Sequence, residues 1–458
     1  MLLRQSRTII ELILWVGIAA LALAFLPGYT ARGDVVRLLD SDEDALQSRI
    51  DLIQRAKHEI CISYFCVGGD DIAVGMLALV RDAAWRGVSV YLLVDSMHNT
   101  MPKAVQAALI ADGVKIREYH PFRLDRPSWT LCRLHDKLLL VDRFELITGG
   151  RNIEARYFGH AEANYHDRDI YVRGQAAVEA RRYFEEIWND DDVSVVNASL
   201  LSAERSPRVS SRFNQGVATK VSRKQLIEMA NRSLAQNRLQ LEKQPTVKLA
   251  AYTDWAAGQY DVPGVRFLCD PLDGRDRTND LTDVLLRIFS TARESIFIES
   301  PYLYLTPMFR DSLAAASKRG VRVVILTNSL ASTDVLLAQA GYESQRFAMQ
   351  KMGIELYEFR GPRTLHSKSF LVDDHVGVVG SFNLDPRSEN RDTQVAILVD
   401  NPRFALALKA SIERDLAQSD GASTEAMPMP AIFSDVSPER RLFFGFSRLF
   451  APLLQGEL

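Results

Sequence analysis

Cysteine is scarce in this chain of 458 residues. Cys61, Cys66, Cys132 and Cys269 are spaced neither as a zinc site nor as a disulfide framework, so they are read as free thiols. Excess positive charge is missing as well. The net charge of -3 removes the electrostatic case for a nucleic-acid partner, which calls for a basic face. Long uncharged apolar runs are lacking, with one exception. Arg4 and Arg7 precede Leu12 to Leu26, LILWVGIAALALAFL, which carries no charge. This run falls between a signal-peptide core and a spanning helix of about 20 residues. PGYTARGD after it holds no convincing small-x-small cleavage site, and no cysteine is placed to carry a lipid. An uncleaved N-terminal anchor over residues 1–34 is therefore expected, with a cleaved signal as the alternative. Arginines ahead of the apolar run place the rest of the chain outside, on the periplasmic face of the inner membrane in a bacterium.

What is present is a repeat. AKHEICISYF (56–65) matches ARESIFIESPY (292–302), and AAWRGVSVYLLVDS (83–96) matches AASKRGVRVVILTNS (315–329). DGVKIREY (112–119) matches MGIELYEF (352–359), and LHDKLLLVDRFELITGGRN (134–152) matches LHSKSFLVDDHVGVVGSFN (365–383). Four matches in the same order indicate an internal duplication. In each half helical patterns alternate with apolar strands, which predicts an α/β fold with one sheet per lobe. The lobes are placed at 35–195 and 263–420. The polar stretch 196–262, with one helical run near 224–241, reads as a connector.

The last match carries the chemistry. His135 and Lys137 are two residues apart, so they share one face of a strand, and His366 and Lys368 repeat the arrangement. Each pair is followed by an aspartate, Asp142 or Asp373, and then by a glycine turn ending in Asn152 or Asn383. A lone H-x-K is usually structural. Two copies at equivalent places of a repeat point to one site assembled from both lobes. Two imidazoles, two ammonium groups and two amides suit a phosphodiester. One histidine attacks phosphorus and the other protonates the leaving oxygen, while Lys137, Lys368, Asn152 and Asn383 hold the non-bridging oxygens. The lysines supply the positive charge, so neither a metal nor a cofactor is expected. Asp142 and Asp373, seven residues beyond the histidines, fall on the other strand face and are assigned to backbone bonding at the strand end. To orient the imidazoles, DRDIYVRG (167–174) and RDTQVAILVD (391–400) offer Asp169 and Gln394 at matching places, with Asp167 and Asp392 two residues earlier.

These motifs resemble the phospholipase D superfamily with two HKD motifs, over nearly the whole chain after residue 35. GGRNIEARYFG, DRDIYVRG and GSFNLDPRSEN are most similar to bacterial cardiolipin synthases, of the type called C. The resemblance implies a duplicated phospholipase D fold, an α/β/α/β/α sandwich with one active site at the lobe interface. It implies a phosphohistidine on His135 and a general acid at His366. In the family an acidic residue commonly stands at the place of Gln394 and orients the histidine of the opposite lobe. On that pattern Asp169 would serve His366, while His135 would face Gln394 or Asp392. The implied substrates are phosphatidylglycerol, alone or with phosphatidylethanolamine, at a membrane bilayer and without nucleic acid. Phosphatidyl transfer making cardiolipin is the leading expectation. Hydrolysis of phospholipid headgroups is second, ahead of a nuclease or a non-enzymatic scaffold. The C-terminal stretch 421–458 ends in ERRLFFGFSRLFAPLLQGEL (439–458). It is expected either to pack on the core or to lie in the lipid interface, with Gly445 and Pro452 weakening a helix there.

Overall fold

A computed structural model gives the fold and describes residues 33–122, 124, 131–196, 222–249, 253–257, 259, 261–270, 281–422 and 437–450. The apolar run Leu12 to Leu26 lies outside the described residues, among which no helix is long and apolar enough to cross a membrane.

The first lobe contains β1 (Asp34–Leu39), α1 (Asp42–Arg55), β2 (Glu59–Tyr64), α2 (Asp71–Trp85), β3 (Ser89–Asp95), α3 (Lys103–Ala111), β4 (Lys115–Tyr119), β5 (Lys137–Val141) and β6 (Glu145–Gly149). It continues through β7 (Tyr165–His166), β8 (Asp169–Arg173), α4 (Gln175–Trp188) and β9 (Val193–Val195). Next come α5 (Arg223–Glu242) and β10 (Asp261–Val262). The second lobe opens with β11 (Val265–Cys269), α6 (Leu281–Thr291), β12 (Ser295–Glu299), α7 (Pro307–Lys318), β13 (Arg322–Asn328), α8 (Leu336–Lys351), β14 (Glu355–Phe359) and β15 (Thr364–Leu365). It closes with β16 (Ser369–Val372), β17 (Val376–Gly380), α9 (Pro386–Asn390), β18 (Val395–Asp400), α10 (Pro402–Leu416), β19 (Ser419–Gly421) and α11 (Pro438–Phe450).

Sheet one runs β10-β1-β8-β6-β5-β2-β3-β4-β9, and sheet two runs β11-β18-β17-β16-β12-β13-β14-β19. Apart from β10 the two orders are the same, element for element. This is the architecture expected of the duplication. In each sheet a parallel pair of ladders sits beside antiparallel ones: β2, β3 and β4 pair in parallel, whereas β5 meets β2 antiparallel. Every residue of β2 is buried, as expected of a central strand whose sheet is covered on both faces.

One face of sheet one packs under α1, α2, α3 and α5, and the corresponding face of sheet two packs under α6, α7 and α8. The other faces share a core. Leu138, Leu140, Ile170 and Val172 meet the same cluster as Phe297, Leu371, Ile397 and Val399, with Phe184 of α4 and Leu408 of α10 filling it. The layers are therefore helix, sheet, helix, sheet, helix. Local signals set the helix starts. Ser41 caps α1 by accepting from Asp44 N, and Asn401 caps α10 ahead of Pro402 at the first helical position.

Two features differ from the sequence reading. The described part of the connector belongs to the first lobe: α5 lies on α2 so closely that a Cβ at Gly75 would stand 2.9 Å from Asn237 O, and β10 adds a ninth strand to sheet one. Asp51 fastens the same stretch by accepting from Trp255 Nε1 at 2.9 Å. At the other end, α11 runs through Gly445. Phe444 is buried against Leu330 and Ala340, and that packing outweighs glycine's roughly 1 kcal/mol helix penalty. Arg440 Nε donates to Leu330 O at 3.1 Å and pins the start of the helix.

Candidate active site

The two histidine–lysine pairs meet where the lobes meet. The approach to β5 bridges in parallel to the approach to β18 at Leu134 and Thr393, and Thr393 N donates to Arg133 O at 3.0 Å. The mirror of this contact pairs β15 with β7, and His366 N donates to His166 O at 2.7 Å. Each motif is thus held by backbone from the other lobe. Arg168, fully buried, straps the lobes beside this contact. It binds Asp40 of its own lobe together with Glu299, Ser369, Ser411 and Asp415 of the other.

The same exchange selects the imidazole partners. His135 Nδ1–H donates to Gln394 Oε1 at 3.0 Å, and His366 Nδ1–H donates to Asp167 Oδ2 at 2.6 Å. The expected Asp169 does not reach His366. It is buried on Arg49 Nη2 at 2.9 Å and Arg151 Nη1 at 3.3 Å. The register explains the correction. Gly149 pairs with Asp169 and Gly380 pairs with Ala396, so Asp167, two residues before the paired position, is the counterpart of Gln394. Asp392 does not touch the His135 ring either; it accepts from Arg133 N at 3.0 Å and from Arg387 Nη2 at 2.9 Å.

The two partners are built differently. A Cβ at Gly150 would stand 2.1 Å from Asp167 Oδ1, so only glycine leaves room for that carboxylate. The counterpart Ser381 donates to Gln394 Oε1 at 2.6 Å, and Gln394 Nε2 donates to Ser388 Oγ at 3.0 Å. The amide is locked with its oxygen toward His135, which fixes the proton on Nδ1 and leaves Nε2 as the free lone pair.

Both lysines are fully buried. Lys137 Nζ donates to His135 O at 2.7 Å. Lys368 Nζ packs over the His366 ring, 2.8 Å from Nδ1 and 3.1 Å from Nε2, and donates to His366 O at 2.5 Å. Burial, then the Lys368 charge, push the Lys137 ammonium well below its ordinary range. Burial lowers Lys368 to about 8 against the pull of Asp167. Lys137 meets the neighbouring ammonium as its leading charge, whereas Lys368 meets the Asp167 carboxylate. Burial and Lys137 drive His135 well below an ordinary imidazole, opposed by the Gln394 bond. Burial and Lys368 also lower His366, opposed by Asp167. Asp167 itself stays below the carboxylate range: burial pushes it up, but His366, Lys368 and Arg151 outweigh that.

Asp142 and Asp373 stand away from this chemistry. Asp142, at φ 49°, accepts from Lys57 N, His58 N and Glu59 N. Asp373, at φ 52°, accepts from Arg293 N, Glu294 N and Ser295 N. Each fastens the end of its motif strand to the start of β2 or β12. Asn152 and Asn383 line the same cavity as the histidines, of about 560 Å³. Asn152 Nδ2 donates to Tyr157 OH at 2.8 Å, while the buried Asn383 Oδ1 has no partner among the described residues.

Sequence reading alone missed several walls of this cavity. Tyr157, Tyr165 and Tyr302 surround the His366 ring at centroid distances of 5.3, 5.0 and 6.2 Å. Two of these phenols, Tyr165 and Tyr302, donate to Asp334 at 2.9 and 3.0 Å. On the His135 side stand Phe65, His98 and Arg133. None of these lies in the paired motifs. Two signals were available: Phe65 and Tyr302 close the first matched pair of repeat segments, and ARYFGHAEANYH is an aromatic-rich loop with no match in the second half.

Comparison with known proteins agrees with this geometry. A family model described as cardiolipin synthase, phospholipase D-like domain, matches residues 50–188 and 285–416, one match per lobe. Cardiolipin synthase C of Escherichia coli is 28% identical over 407 residues, covering 80% of this chain and 81% of that protein. Cardiolipin synthase 1 of Bacillus anthracis is 22% identical over 434 residues, covering 93% of this chain and 74% of its own. In fold, the phosphatidylserine synthase of Haemophilus influenzae Rd KW20 superposes with a TM-score of 0.64 at 17% identity, covering 92% of this chain and 95% of that one. With both lobes matched and two histidine–lysine pairs facing one cavity, the chain belongs to the cardiolipin synthase, phospholipase D-like domain family, an enzyme family of phosphatidyl transfer.

Proposed function

We propose that this enzyme makes cardiolipin by moving a phosphatidyl group onto phosphatidylglycerol through a phosphohistidine on His135. The observation that carries this reading is the unequal pair of partners, Gln394 on His135 and Asp167 on His366. A nucleophile must be neutral, and His135 has a neutral partner and a depressed pKa. A group that gives and then takes a proton gains from a carboxylate behind it, as His366 has. In the first step His135 Nε2 attacks phosphorus, the bond to the headgroup oxygen breaks, and His366 gives that oxygen its proton. In the second step the acceptor hydroxyl attacks phosphorus and returns a proton to His366. The P–N bond breaks, and its electron pair returns to His135. Lys137 and Lys368 face the charge on the non-bridging oxygens.

The donor is read as phosphatidylethanolamine. Asp334, ringed by phenols on the His366 side, suits an ammonium headgroup leaving from that side. The charge-free run Leu12 to Leu26 after Arg4 and Arg7 supports anchoring in a bacterial inner membrane with the cavity on the periplasmic side. Expression in cells lacking their own cardiolipin synthases tests the reaction. Cardiolipin should appear with the native chain and not with His135→Ala. Phosphatidic acid without cardiolipin would instead identify a hydrolase.

A further inference from the structure

The cavity holds a third histidine that the reaction above leaves unused. His98 lies just beyond β3, on the wall beside His135, and its side chain is 44% exposed. Its orientation is set by Asp95, which is fully buried. Asp95 Oδ1 accepts from Met97 N and His98 N at 3.0 Å each, from His98 Nδ1 at 2.9 Å and from Arg133 Nη1 at 3.4 Å. Its Oδ2 accepts from Leu134 N, the residue before His135, at 3.1 Å. With Nδ1–H committed to Asp95, the neutral form of the His98 imidazole presents its Nε2 lone pair as a hydrogen-bond acceptor.

This imidazole is also fixed relative to the nucleophile. Phe65 stacks on His98 at a centroid distance of 4.3 Å and meets His135 edge-on at 5.2 Å. Both links run through one ring, so the two imidazole centroids lie within 9.5 Å of each other. An acceptor held on the wall beside His135 fits a vicinal diol. One hydroxyl can attack while its neighbour is held. Water has no second hydroxyl to place on His98, whereas a glycerol unit has.

We propose that His98, positioned by Asp95, binds the second hydroxyl of the acceptor's glycerol and so favours a lipid alcohol over water at the phosphohistidine. The inference rests on the transfer reading and adds a determinant of acceptor choice. In the step concerned, the primary hydroxyl oxygen bonds to phosphorus, its proton goes to His366, and the P–N bond to His135 breaks with the electron pair returning to the imidazole. The secondary hydroxyl donates its hydrogen bond to His98 Nε2 and no bond of its own changes.

The experiment offers the full chain phosphatidylethanolamine in mixed micelles with glycerol or 1-propanol at equal concentration, and quantifies each phosphatidyl alcohol against phosphatidic acid. The native enzyme should favour glycerol over 1-propanol. His98→Ala should lose that preference by about three- to tenfold, the size of one uncharged hydrogen bond, with the ratio of transfer to hydrolysis falling alongside. His98→Gln, which keeps an acceptor, should recover part of the preference and guards against a folding defect in the alanine variant. A preference unchanged in His98→Ala overturns the assignment. So does an equal fall for glycerol, 1-propanol and water, because that is the signature of His98 merely bracing Phe65 and His135. If the native enzyme releases only phosphatidic acid, the transfer reading itself fails, and that result is visible before any variant is made.

Discussion

Replacing Gln394 by Glu puts a negative charge where His135 now meets a neutral amide. The site can accept it. The new carboxylate occupies the same volume, Ser381 Oγ already donates to that position, and Ser388 Oγ, now an acceptor from Gln394, can turn its own proton toward it. The Nδ1 contact is 3.0 Å. An opposite charge at such range moves a titration by about one to three units, and burial keeps solvent from screening it. The sign is upward, because the carboxylate favours imidazolium. His135 attacks only when neutral, so the acidic limb of adduct formation should move to higher pH by about one to three units. Each unit costs tenfold in rate on that limb. Burst amplitudes and single-turnover rates of phosphohistidine formation, measured across pH, report this half-reaction without the acceptor step. The reverse change, Asp167→Asn, removes the charge behind His366 and should move the alkaline limb to lower pH, since the general acid then holds its proton less well. An unmoved acidic limb in Gln394→Glu, in an enzyme that still folds and reacts, would show that His135 is not the group that must be neutral. Swapped behaviour of the two variants would exchange the roles of the two histidines.

Lys368→Ala should cost about 2–4 kcal/mol of transition-state stabilisation, read from kcat/KM. Beyond the alkaline limb set by His366, activity in the native enzyme should fall a second time as pH rises past about 8, where that ammonium loses its proton. Asp373→Ala removes one acceptor from three backbone N–H groups and should lower stability by about 1–2 kcal/mol in denaturant melts, whereas adduct formation by the folded fraction persists. Its carboxyl is held below the usual range by those bonds, although burial opposes them. The stabilisation is therefore present above about pH 4 and lost as pH falls through the folded value, and Asp373→Ala should flatten that acid loss. Phe444→Ala should cost about 3 kcal/mol, because the side chain is 2% exposed. It should also lower turnover of short-chain substrates, since Leu337 and Tyr304 pack against that cluster and line the cavity. Unchanged melting of Phe444→Ala would return α11 to a purely interfacial role.

Much of this was legible in the chain because a duplication supplies its own comparison. The paired H-x-K strands, the alternation of helices and strands and the aspartates at the strand ends were all visible twice. The imidazole partners were less so. From Gly150 to Asp167 is 17 residues, but from Ser381 to Gln394 is 13. The loop carrying Tyr157 lengthens the first copy, so aligning acidic residues by eye slipped the register by two and favoured Asp169. Only the ladder of β6 with β8 corrects it. The placement of α5 was hidden for another reason: Ala230, Leu234 and Leu241 alone are buried, so the helix reads as polar although it covers α2. His98 and Asp334 carry no motif at all, and Tyr302 only closes a repeat segment. They reach the site through the strand order, which sequence spacing does not encode.

The crossing of partners between lobes has a consequence for how such a site could acquire two unlike histidines. In a symmetric pair of identical chains, one residue would have to stand behind both imidazoles, and nucleophile and acid would share one environment. Joining the copies in a single chain lifts that constraint. Gly150 and Asp167 could then change without Ser381 and Gln394 following. Division of labour between His135 and His366 is in this sense a property of covalent linkage: it is what separates a fused pseudo-dimer from the dimer it imitates.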